Sequence, residues 1–130
     1  VVRPGDKVYH LGDVFFGDKE WFQKNWPRLM GSKRLIVGNH DDIKYLSSGG
    51  FFSKVSMWRQ FTEHNIIMTH VPMHFSGLFR SKNTDKPMLN AHGHIHQNKS
   101  PDGPYHNACV EMNNYTPINL EDLATIAKKI

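Results

Sequence analysis

Four short apolar runs in this chain each stop at residues rich in ligand atoms, and that recurrence constrains the fold more than any other feature. Val8 to Leu11 stops at Gly12-Asp13, and Leu35 to Val37 stops at Gly38-Asn39-His40-Asp41. Ile66 to Met68 stops at Thr69-His70, and Met88 to His92 at Gly93-His94-Ile95-His96. Apolar runs of this length bounded by turn signals read as buried strands. In layered α/β folds, loops from different strands converge at the carboxyl ends of those strands, and ligands bind there. Polar groups at this density must be solvated or paired, so the four strand ends are predicted to build one site.

The rest of the pattern is mixed strand and helix. Asp18 is placed as an N-cap for a helix with Trp21, Phe22 and Trp26 at helical spacing, which Pro27 kinks or shortens and Gly31 stops. Residues 51–61 and 65–70 are predicted to pair antiparallel across the polar turn Thr62 to His64. Residues 72–87 read as an irregular loop, 105–114 as a late strand, and 119–130 as a terminal helix capped by Asn119. Asp42 is solvated or caps the segment after it. A length of 130 residues is predicted to form one domain, 1–130, with its own core.

Hydrophobic residues at 38% and charged residues at 22% place the chain among globular proteins. The net charge of +4 is scattered, so no dedicated nucleic-acid face is written in it. No apolar run approaches the ~18 residues of a membrane span, and no signal peptide is evident, so a cytoplasmic address without a membrane partner is expected. Cys109 reads as a small buried hydrophobe. The oddity is the count of nine histidines, the commonest protein metal ligand.

In order, G-D, G-N-H-D, a lone H and G-H-x-H over residues 12 to 96 resemble the signature of the calcineurin-like metallophosphoesterase superfamily. The ordered set is specific, although each block alone is weak. The resemblance implies a two-sheet β-sandwich flanked by helices. It also implies two divalent ions, drawn from Mn, Fe, Zn, Co or Ni with Mn favoured, and hydrolysis of phosphomono- or phosphodiesters by a metal-activated hydroxide. Carried over by position, Asp13, Asn39, His70 and His94 hold one ion, while Asp13 and His96 serve the other. His40 assists the leaving group, and Asp41 holds the His40 ring. Nucleotides and nucleic acids are among the substrates this implies, whereas the oligomeric state is not implied.

The family's D-x-H block, which precedes G-D, has no match between Val1 and Asp13 or downstream. The domain is therefore expected to be N-terminally incomplete in this sequence and to lack the family's first strand; that portion is either not captured in this sequence, the favoured account, or lost, or supplied by another chain. The competing readings are a catalytically impaired metal-binding or interaction module from the same family, and a nucleic-acid-binding module with salt-dependent affinity. Bland assignments accompany the sharp ones. His10 and His92 are taken as packed or hydrogen-bonded, His74 as at most pocket-lining, and His64 and His106 as solvent-facing. Arg80 and Lys82 are placed either beside phosphate oxygens or in solvent. Trp21, Trp26 and Trp58 are expected to pack into the core or against helices.

Overall fold

Alternation along one strand separates the apolar layers. In Ser32–Ile36 (β2) and the residue after it, Leu35 and Val37 join a cluster with Phe22 and Leu46, whereas Ile36 joins another with Phe61, Ile66, Met68 and Leu89. A period of two is what an extended backbone imposes, and a strand covered on both faces must be apolar on both. The computed structural model describes residues 2–80 and 86–130.

Lys7–His10 (β1), β2 and Lys54–Ser56 (β3) form a parallel sheet in that order, with Tyr9 opposite Arg34 and Arg34 opposite Lys54. Arg59–Phe61 (β4), Ile66–Thr69 (β5), Leu89–His92 (β6) and Tyr105–Asn107 (β7) form the second sheet. There β4 runs antiparallel to β5, while β5, β6 and β7 run parallel. The helices are Lys19–Asn25 (α1), Ile43–Ser48 (α2) and Leu120–Lys128 (α3), so the described chain is mixed α/β with two small sheets and three helices. Ile36 and Tyr9 share their cluster with Met68, Ala91 and the α3 residues Leu123, Ala124 and Ala127. Leu123 and Ala127, four apart, lie on one helical face. Against the other face of the second sheet, Ile67 packs with Leu78 and Met88. No described helix is long and apolar enough to cross a membrane.

Several local expectations change. Residues 51–61 are two strands, because β3 completes the first sheet and β4 opens the second; only β4 pairs antiparallel with β5. The late strand is three residues long and gives way to a 3-10 turn at Val110–Met112. Pro27 does shorten α1, which passes into a 3-10 turn at Trp26–Arg28. Trp21 and Trp58 are each 62% exposed, so of the three tryptophans only Trp26 packs as expected, against Phe22 and Phe52. His106 lies in β7 and is half-buried, with its Nε2 buried and without a hydrogen-bond partner among the described residues, so only part of it meets solvent.

Helix α2 had no periodic signal, being six residues long, but its cap is plain. The Asp42 carboxylate accepts the Tyr45 N–H at 3.1 Å, and Lys19 Nζ lies 3.2 Å from its other oxygen. Those partners draw its pKa below the ordinary carboxylate value, the Tyr45 amide first. Asp42→Ala should lower stability through the loss of this N-cap. Urea denaturation would show this as a lower midpoint at unchanged slope.

Candidate metal centre

Each proposed ligand sits just beyond a strand. Asp13 follows β1 by three residues, Asn39 follows β2 by three, His70 directly follows β5, and His94 follows β6 by two. Because β1 and β2 are parallel, as are β5 and β6, their carboxyl ends lie together within each sheet. Two glycines then let the loops cross. Gly12 has φ +97°, and a Cβ there would meet Gly38 N and His70 Nδ1 at 2.6 Å. A Cβ on Gly38 would come within 2.5 Å of both Asp13 N and Asp13 Oδ1. Only glycine permits that approach.

The convergence centres on His70, which is 5% exposed. Its Nε2 lies 2.9 Å from Asn39 Oδ1, 3.1 Å from His94 Nδ1 and 3.2 Å from Asp13 Oδ2. One ligand atom each from Asp13, His70 and His94 falls within 4.8 Å of the others, close enough for all three to share one ion. On the far side of the ring, Nδ1–H donates to the Leu11 carbonyl at 2.6 Å. That bond assigns the proton to Nδ1 and leaves the Nε2 lone pair facing the cluster, as an outer partner does for a metal-bound histidine. A carboxylate oxygen, an amide oxygen and two imidazole nitrogens thus gather around one small volume. Such a donor set fits a borderline divalent cation.

Backbone strain is present at two of these ligands and at His96, as it is at Asn65, Asn114 and Tyr115 elsewhere. Asp13, His94 and His96 have φ of +52°, +70° and +52°, in the left-handed region. For non-glycine residues this costs about 1–2 kcal/mol each, and surrounding contacts must hold it. Asp41 provides that hold. Its carboxylate accepts the N–H of Gly38 at 2.7 Å, of Val14 at 2.8 Å and of Asp13 at 3.0 Å, tying the two ligand loops together. This corrects the role expected for Asp41: among the described residues it bonds backbone amides and does not hold the His40 ring. His40 is exposed, and its own N–H donates to Asp13 Oδ1 at 2.9 Å.

His96 stands apart from the group. It is exposed, and its Nδ1 lies 2.8 Å from Glu111 Oε2. Glu111 lies in a stretch without any readable motif, and no sequence signal pointed to it. Its pKa is lowered mainly by its backbone N–H and by His96. His92 is fully buried with Nδ1 3.0 Å from the Gly93 carbonyl and Nε2 2.9 Å from Ser100 Oγ, and desolvation lowers its pKa. His10 Nδ1 accepts the Gly12 N–H at 3.2 Å and its ring lies against Trp26. Burial lowers its pKa, opposed by the nearby charge of Asp41. His74 caps the 3-10 turn Phe75–Leu78. Arg80 donates to the Thr62 carbonyl at 3.2 Å, near the start of β5 and so at the opposite end of that strand from His70. Lys82 lies outside the described residues.

Comparison with known proteins adds a fold relative without a known activity. The crystal structure of the protein of unknown function AQ665 from Aquifex aeolicus matches with a TM-score of 0.71 and 28% identity, covering 97% of this chain and 78% of that one. No family model and no curated protein matches the sequence.

Proposed function

We propose that the protein is a metal-dependent phosphoesterase of calcineurin-like type. The observation that carries this reading is the meeting of Asp13 Oδ2, Asn39 Oδ1 and His94 Nδ1 around His70 Nε2, with the His70 proton committed to Leu11. These residues come from four separate strand ends in the order of the family signature. The shared apolar cluster of Ile36 and Tyr9 with the second sheet supports a sandwich arrangement. Asp13, Asn39, His70 and His94 would hold one divalent cation, with Mn favoured among the metals that mixed N and O ligation suits. A second cation would draw on Asp13 and His96, whose Nδ1–H Glu111 engages, leaving Nε2 available.

Bound there, divalent metal supplies Lewis acidity toward a phosphoryl oxygen and acidifies water. The chain's residues do the rest. His70 stays in one tautomer through Leu11, and Asp41 fixes the spacing of the Asp13 and Asn39 loops. His40, exposed and with its backbone N–H on the Asp13 carboxylate, would give a proton to the departing ester oxygen. The substrate class is a phosphomono- or phosphodiester.

Turnover of bis-p-nitrophenyl phosphate and p-nitrophenyl phosphate with added Mn²⁺ tests the reading. Activity that EDTA removes and Mn²⁺ restores supports it, and His40→Ala should then reduce kcat by about 10²–10⁴-fold. Stoichiometric Mn²⁺ binding with no hydrolysis of either ester would leave a metal-binding module instead.

A further inference from the structure

Beside the proposed proton donor stands an aromatic ring with no packing role. Phe16 is 70% exposed, and its centroid lies 5.5 Å from that of His40 in an edge-on contact. Its neighbour Phe15 is turned the other way, stacked on Phe22 at 4.3 Å with 8° between the planes. Phe15 and Val14 pack into the cluster around Phe22 and Leu46, so the backbone of this loop is anchored from below. It is anchored from the side as well, because the Asp41 carboxylate holds the Val14 N–H at 2.8 Å. The backbone beneath Phe16 is therefore held in place, and its ring stands three residues from Asp13 and edge-on to His40.

Leaving a whole phenyl face in water forgoes the burial it would otherwise gain. Exposed hydrophobes scattered singly need no explanation, but this one touches the residue that would protonate the leaving oxygen. Planar aromatic groups stack on such rings with a gain of about 5- to 150-fold in affinity per group, largely regardless of their hydrogen-bonding edges. Resting on the phosphoesterase reading, we infer that Phe16 is the specificity-determining platform for a planar aromatic ester group, an aryl ring or a nucleobase, on the phosphate that His40 serves.

The test uses equilibrium binding, so that it does not depend on turnover. Titrate the Mn²⁺-loaded protein calorimetrically with phenylphosphonate and with methylphosphonate. The wild type should prefer the phenyl compound by about 10-fold, the lower part of the stacking range. Phe16→Ala should bring the ratio near one while leaving methylphosphonate affinity in place, and Phe16→Leu should fall between. Trp58→Ala, which removes a similarly exposed ring elsewhere, should leave the ratio unchanged. Adenosine 5′-monophosphate against ribose 5-phosphate separates the sources: a Phe16-dependent gain there identifies a nucleobase, and its absence alongside the phenyl gain identifies an aryl ester. A phenyl preference that survives Phe16→Ala, or none in the wild type, overturns the role of Phe16 while the metal site stands. Failure of the Mn²⁺-bound wild type to bind either phosphonate overturns the phosphoesterase reading itself, and this inference with it.

Discussion

Replacing His70 with alanine should lower Mn²⁺ affinity by more than about 100-fold and abolish metal-dependent hydrolysis. Outer partners of metal ligands are commonly worth about 10–100-fold, and His70 stands at the centre of its set, within 3.2 Å of three other ligand atoms. Because the ring is buried, the variant leaves a cavity as well. Asn39→Ala therefore accompanies it: Asn39 is exposed, so losing its amide oxygen should weaken metal binding with the unfolding midpoint unchanged. His64→Ala is the control, since His64 precedes β5 whereas His70 follows it, and it should alter neither quantity. Calorimetric titration with Mn²⁺ reads the affinities. Unchanged affinity in both His70→Ala and Asn39→Ala would remove the metal centre from consideration.

Gly12→Ala should cost more stability than any surface substitution, about 3 kcal/mol or more. Its φ of +97° lies where an L side chain is strained, and the added Cβ would sit 2.6–2.7 Å from Gly38 backbone atoms and His70 Nδ1. The first effect is worth about 1–2 kcal/mol and the overpacking about 1–3 kcal/mol. Against a typical total of about 5–15 kcal/mol, that is a large share. Those neighbours are backbone and a ring already held by Leu11, so they have little room to yield. Gly5→Ala meets nothing within 4 Å and should stay within about 0.5 kcal/mol of the parent. Urea unfolding of the two variants gives the comparison. A Gly12→Ala midpoint equal to that of Gly5→Ala would mean the two ligand loops do not cross as closely as described.

Legibility in the sequence followed the range of the interaction. Caps are local, and Asp18 and Asn119 could be assigned because each bonds an amide two residues on. The loss of helix at Pro27 was equally local, because the ring itself removes the N–H. The partition of residues 51–61 into strands of two different sheets was not legible. Either half has the composition of a strand, and nothing within the segment says which partner each will find. Helix α2 was missed because six residues span fewer than two turns and leave no periodicity to detect. The exposure of Trp21 and Trp58 is set by which surfaces are already covered, a property of the assembled layers.

At the site, the chain's own order of residues determined the cast: an aspartate, an asparagine and two histidines placed just past apolar strands, with glycines beside them. Composition marks the strand ends, and the likeness of their ordered motifs to a known signature is what picked out these four residues there. What only the tertiary structure decided is how they are wired. It gave the His70 proton to a carbonyl fifty-nine residues earlier, moved Asp41 from the His40 ring to three backbone amides, and paired His96 with Glu111. Hydrogen bonds between loops depend on distances of a few tenths of an ångström, and those distances exist only after the sheets have brought the loops together.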